Sequence, residues 1–222
     1  MIYFTGDTHR EQDVAKINPD DKFPKGKELT SDVYLIVMGD FGFVYDGGKG
    51  DKFWLDWLES LPWTTCFIDG NHENFDLLNQ YPQEQWHGGQ IHRIRSNIVH
   101  LMRGEIFDID HVRCFCFGGA PSHDAQYRVS NVNWQEELPT MEQMKHAMHN
   151  LDKVGWKVDM VLTHEVFESH ELATKYTTNM DNYGPEYFDC KLFLDKIEKK
   201  LDYKVWLHGH YHTDQVYQSP SN

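Results

Sequence analysis

Five short, β-rich apolar runs punctuate this chain, and each stops at a small polar cluster. "IYFT" leads into Gly6-Asp7-Thr8-His9 and "VYLIVM" into Gly39-Asp40. "TTCFID" leads into Gly70-Asn71-His72, "DMVLT" into His164, and "YKVWL" into His208-Gly209-His210-Tyr211-His212. Near-continuous apolar runs fit strands that are buried on both faces. In layered α/β folds, ligands bind beyond the carboxyl ends of such strands. The pattern therefore predicts an α/β protein whose five polar clusters converge on one rim.

Helical periodicity fills the intervals. In "DKFWLDWLES" and the Leu61 that follows it, Phe53, Trp54, Trp57, Leu58 and Leu61 recur at helical spacing. "TMEQMKHAMHNLDKV" puts Met141, Met144, Met148 and Leu151 on one face, with Thr140 as N-cap. These methionines read as core. "FDCKLFLDKIEKKL" reads as a further amphipathic helix, and Asn18–Thr30, with two prolines and a glycine, as a loop.

The chain has 222 residues, 40% of them hydrophobic, enough for one domain with a substantial core. A formal net charge of −14 argues against binding long nucleic acids, which requires stripes of Lys and Arg. It leaves a phosphate-bearing small substrate open, because a bound cation inverts the local field. Cys66, Cys114, Cys116 and Cys190 are too sparse for a disulfide scaffold and read as buried, reduced thiols. With no apolar stretch of about 18 residues and no leader pattern, a soluble, cytoplasmic protein without membrane contact is expected.

The clusters at the five strand ends offer carboxylates, imidazoles and an amide oxygen. Such a mixed N/O donor set suits Mn²⁺, Fe, Zn²⁺, Co²⁺ or Ni²⁺, and its lack of thiolate does not suggest a structural zinc site. Residues i and i+2 of an extended segment face the same way, so Asp7 can act with His9, and His210 can lie close to His212. A glycine before a ligand permits a tight turn and close approach of backbone. Taken singly, each cluster is a common turn or polar loop. The ordered set of five carries the signal.

That ordered series, GDTH…GDFG…GNHE…TH…GHYH, spans Asp7 to His212 and resembles the calcineurin-like metallophosphoesterases. The resemblance implies a single domain over residues 1–222, folded as a four-layered α/β/β/α sandwich of two mixed sheets flanked by helices. It implies two divalent cations, with Mn²⁺ first among the candidates. One would take Asp7, His9, Asp40 and His212; the other would take Asp40, Asn71, His164 and His210; Asp40 would bridge them. His72 would be the catalytic residue that meets the substrate. Two divalent ions against Asp7 and Asp40 leave a centre of about +2, which attracts phosphate within an acidic protein.

The expected reaction is hydrolysis of a small phosphodiester or phosphomonoester by a metal-activated hydroxide, with His72 protonating the leaving group or stabilising charge. Nuclease or cyclic-nucleotide phosphodiesterase activity is the alternative within the class, and a non-catalytic metal-binding interaction module is the alternative outside it. A protein phosphatase ranks lower, because the segment "GDFGFVYDGG" carries Phe43 where that branch has an Asp to orient its catalytic histidine. Arg10, beside His9, and Arg128, in the segment Ser122–Arg128, are candidate phosphate contacts. His208 is expected not to be a ligand.

Overall fold

A computed structural model describes residues 1–122, 135–175 and 179–217. The first sheet contains β1 (Ile2–Thr5), β2 (Tyr34–Met38), β3 (Thr64–Ile68), β4 (Gln83–Trp86), β5 (Gly89–Arg95) and β6 (Ile98–Leu101) in the order β1-β2-β3-β6-β5-β4. The second contains β7 (Ile106–Ile109), β8 (Val112–Phe117), β9 (Met160–Thr163) and β10 (Val205–His208) in the order β10-β9-β8-β7. Both sheets are mixed. β1, β2, β3 and β6 run parallel, as do β8, β9 and β10, while the β4–β5, β5–β6 and β7–β8 pairs are antiparallel.

Side-chain alternation along the strands builds the layers. From β2, Ile36 and Met38 face the second sheet; from β3, Cys66 and Ile68 do so, and they meet Cys114 and Cys116 of β8 and Leu162 of β9. The alternate residues Leu35, Val37 and Phe67 face outward onto α1 (Lys49–Glu59), which buries Leu55 and Leu58. On the far side, Phe115, Phe117 and Val161 face α3 (Met141–Lys153) and α4 (Cys190–Glu198). The result is the expected four layers: helix, sheet, sheet, helix. A short helix, α2 (Phe75–Leu78), follows β3 directly.

The cysteines are free and buried. Burial pushes the Cys114 thiol up to about 12, so it stays protonated at neutral pH. Thr140 caps α3 in a capping box with Gln143. Two helical readings need correction. Met141 and Phe53 are 43% and 64% exposed, so the buried faces are Met144–Ala147–Leu151 and Leu55–Leu58 instead. The segment read as a loop contains a 3₁₀ turn at Pro24–Glu28, with Phe23 edge-on to Tyr3 and Trp63.

The strands β4, β5, β6 and β7 had no counterpart in the apolar-run reading. Their turns lack the usual Asn-Gly signature. Asp110 and His111 join β7 to β8 with φ of 50° and 65°, and His87 and Gly88 join β4 to β5 with φ of 47° and 96°. Positive φ at both central residues is the geometry that matches hairpin twist. Among the described residues, no helix is long and apolar enough to cross a membrane.

Candidate metal centre

Parallel pairing aligns the carboxyl ends of β1, β2 and β3. Thr5 pairs with Val37 and Met38 with Ile68, so Asp7, Asp40 and Asn71 emerge side by side. In the facing sheet, His208 pairs with Thr163, which sends His164 and His210 off the same end. The two sheets thus deliver one rim, and the residues on it form two groups. Asp7, His9 and His212 make one; Asp40, His164 and His210 make the other, and within each group a ligand atom of every residue lies within 4.8 Å of the others.

Asp40 lies between them. Its buried Oδ2 is 3.5 Å from His9 Nε2 and 3.4 Å from His164 Nε2. Its Oδ1 accepts the backbone N–H of His72 at 2.9 Å. Burial opposes ionisation of Asp40, but His164, His72 and His9 outweigh it and hold the carboxyl well below the usual carboxylate range. Burial likewise opposes the charge on His164, yet Asp40 and then Asp7 raise it to about 10. The Nδ1 of His164 lies 2.7 Å from the Met38 carbonyl, to which it donates, so its Nε2 faces the centre, 3.1 Å from Asn71 Oδ1. Burial, reinforced by His164, keeps His210 neutral by pushing its pKa well below the usual value.

Asp7 has its own supports. Its Oδ1 accepts the backbone N–H of His210 at 3.1 Å, and its main-chain carbonyl accepts from Lys16 Nζ at 3.0 Å. Its Oδ2 is buried, makes no hydrogen bond among the described residues and stands 3.0 Å from His212 Nε2. A buried carboxylate oxygen without a hydrogen bond is costly unless a cation meets it. His9, Asp40, His210 and His212 all sit at positive φ, between 43° and 69°. Clustering of that uncommon conformation in four non-glycine residues marks a strained, over-determined site.

The glycines that precede the clusters do not share one role. A Cβ on Gly39 would lie 2.1 Å from His164 Nδ1, one on Gly70 2.2 Å from Asp40 Oδ1, and one on Gly209 2.3 Å from the Met38 carbonyl and 2.5 Å from Asp7 Oδ1. A Cβ on Gly6 would meet nothing within 4 Å. Gly6 is therefore not needed for close approach, which corrects the reading of glycine as a common requirement. Gly6→Ala is expected to change stability by no more than about 1 kcal/mol. Gly209→Ala is expected to cost about 1–3 kcal/mol, the usual range for overpacking. Paired denaturant melts of the two variants would check this, and equal stabilities would refute the packing account.

His72 is exposed, and its ring lies edge-on to His9 with centroids 5.5 Å apart. Phe43 is fully buried against Phe41 and Trp54 and plays no polar part. His208 belongs to neither group. Its ring is edge-on to His170 and Tyr211, and its Nδ1 lies 3.0 Å from the Gly209 carbonyl. Tyr211 donates to Glu165 Oε1 at 2.6 Å, and its ring lies edge-on to His210 with centroids 5.2 Å apart. Arg10 does not project freely beside His9. Its Nη1 donates to Asp51 at 3.0 Å, and the guanidinium also pairs with Glu11 and lies over the Tyr45 ring. Asp51 in turn accepts three backbone N–H groups, from Tyr45, Asp46 and Gly47. Arg128 lies outside the described residues.

Several supporting residues escaped the sequence reading. Glu73 is buried and accepts from the Phe41 and Gly70 amides at 2.8 and 3.4 Å, which ties the Asp40 and Asn71 loops together. Burial and then the Asp40 charge raise its carboxyl to about 8. Glu165 is buried beside His164 and His210, with Oε2 3.8 Å from His210 Nε2. Asp69 is gripped by Arg103 and by His100 at 3.1 Å, and His100 Nδ1 lies 2.9 Å from His92 Nδ1. Glu73 and Glu165 directly follow named residues in "GNHE" and "THE", which was the one local hint available.

No curated protein and no solved structure matches the chain. A family model does, along nearly its whole length. The model of the calcineurin-like phosphoesterases matches residues 1–214, and with two mixed sheets between helices and a rim of candidate metal ligands, the chain belongs to that family of metal-dependent phosphoester hydrolases.

Proposed function

We propose that the protein is a dinuclear metal-dependent phosphoesterase that acts on a small phosphodiester or phosphomonoester. The observation that carries this reading is the position of Asp40 Oδ2, within 3.5 Å of an imidazole from each of the two donor groups. One carboxylate oxygen so placed suits a ligand shared by two ions. Asp7, His9, Asp40 and His212 would hold one; Asp40, Asn71, His164 and His210 would hold the other. The buried Oδ2 of Asp7, without a hydrogen bond, supports a cation there, and the absence of thiolates supports Mn²⁺ or another ion that accepts O and N donors.

When bound, two such ions supply positive charge for the phosphoryl oxygens and lower the pKa of water towards 7. The chain's own residues do the rest. The Met38 carbonyl holds His164 in the tautomer that presents Nε2. The Asp40 carboxylate anchors the His72 backbone, so the exposed imidazole stands over the rim, where it can donate a proton to a leaving alkoxide.

The test is Mn²⁺ titration followed by a substrate panel: a bis-aryl phosphate, an aryl monophosphate, cyclic nucleotides, dinucleotide polyphosphates and short oligonucleotides. Two ions per chain and chelator-sensitive turnover of at least one small ester are expected. Binding should release a proton, because His164 is held charged with a pKa raised to about 10 before the ion arrives. Below that pH, apparent affinity should rise about tenfold per pH unit. Two bound ions with no hydrolysis across the panel would instead favour a non-catalytic binding module.

A further inference from the structure

From the buried contacts behind Asn71, we infer that Ser122 and Glu137 are positioning residues that select the amide orientation of Asn71 and so present its oxygen to a cation. The inference rests on the metal centre proposed above. Asn71 Nδ2 donates to Ser122 Oγ at 2.9 Å, and Ser122 Oγ donates to Glu137 Oε2 at 2.8 Å. All three residues are buried.

The direction of this chain is read from its donors, Asn71 Nδ2 to Ser122 Oγ and Ser122 Oγ to Glu137. Glu137 receives one backbone hydrogen, whose direction is fixed, and one hydroxyl hydrogen. The Ser122 backbone N–H points at Oε1 at 3.1 Å, and the Tyr183 hydroxyl donates to the same oxygen at 2.5 Å. Oε1 of Glu137 therefore acts as an acceptor, and the Ser122 hydroxyl donates its one hydrogen to Oε2 at 2.8 Å. What Ser122 then offers Asn71 is a lone pair. An amide must meet a lone pair with its NH₂ and turn its oxygen the other way. In Asn71 that oxygen lies 3.1 Å from His164 Nε2, on the side of Asp40 and His210. The reversed amide would aim two hydrogens at the ion position. Outer partners of this kind typically change metal affinity by about 10–100-fold.

Glu137 comes from a 3₁₀ turn just before α3, far along the chain from Asn71, and Arg103 fixes that turn by donating to the Glu137 carbonyl at 3.2 Å. The same Arg103 grips Asp69, two residues before Asn71. The turn and the Asn71 loop are thus held by one guanidinium, which keeps the chain of hydrogen bonds in register.

The experiment is calorimetric titration of the full chain with Mn²⁺ in the absence of substrate, for the unaltered protein and for Ser122→Ala, Ser122→Thr and Glu137→Gln. Melting of each metal-free variant runs alongside. Ser122→Ala should weaken one of the two ions by about 10–100-fold and leave the other unchanged. Ser122→Thr keeps the hydroxyl and should restore the affinity. Glu137→Gln has nearly the same shape but can turn an NH₂ towards Ser122, which reverses the chain and should weaken the same ion without a matching loss of metal-free stability. Unaltered affinity in both Ser122→Ala and Glu137→Gln would overturn the inference. So would equal weakening of both ions that tracks the metal-free melting temperature. Failure of the unaltered protein to bind Mn²⁺ at all would overturn the proposed function, and this inference with it.

Discussion

Asp40→Asn is expected to remove one of two bound Mn²⁺ ions and to lower turnover of an aryl phosphodiester by more than about 10³-fold. That is the upper scale for deleting one preorganised electrostatic group, and two losses compound here. The negative charge shared by the two donor groups disappears, and an amide NH₂ can be directed at either His9 or His164, where Oδ2 now lies 3.5 and 3.4 Å away. The backbone contact to His72 can survive, because the amide oxygen still accepts at the Oδ1 position. The effect should thus appear in metal stoichiometry before it appears in fold. Elemental analysis of the purified variant, paired with initial rates in excess Mn²⁺, measures both. Full stoichiometry with unchanged turnover would refute the role of Asp40 and the two-ion reading with it.

The second large effect is of a different kind. His72→Ala should retain both ions and yet slow turnover by about 10²-fold or more, the scale of a lost general acid. The reasoning is positional. His72 is exposed, whereas Asp7, Asp40, Asn71 and His164 are buried, and its ring is edge-on to His9 rather than within the groups of ligand atoms. Its backbone is tied to the centre through Asp40 Oδ1, so truncating the side chain leaves that tie in place. A substrate with a good leaving group needs less proton donation, so the defect should shrink as the leaving-group pKa falls. Loss of a metal ion in His72→Ala, or a defect independent of the leaving group, would show that the residue has been given the wrong task.

The two effects illustrate how charge is arranged in an acidic protein. The formal net charge is −14, yet before any cation arrives the rim holds His164 charged, with its pKa raised to about 10 by Asp40 and Asp7. A proton there does part of the work that a metal ion would do. Replacing it with divalent charge would turn the rim into a local positive centre within a negative molecule, which suits a compact phosphate ester.

Local pattern along the chain was enough to mark the strands that carry the rim and most of the residues on it. Both signals are local. An apolar run ended by Gly-Asp, Gly-Asn-His or Gly-His reports a doubly buried strand and the polar turn that leaves it, without reference to any distant part of the chain. Local pattern also located Thr140 as the N-cap of α3, for the same reason. The rest was settled by packing, because the contacts that matter join residues far apart in the chain. His164 is oriented by a carbonyl 126 residues away, and Asn71 is turned by Ser122, 51 residues on. Gly209 is required because Met38 and Asp7 crowd its Cα, whereas Gly6, equally glycine and equally placed before a cluster, faces open space. Arg10 looked available beside His9, but Asp51, 41 residues later, holds its guanidinium. A local pattern states which chemical groups arrive at a strand end. Which atoms those groups then face depends on how two sheets pack, and no run of neighbouring residues encodes that separately.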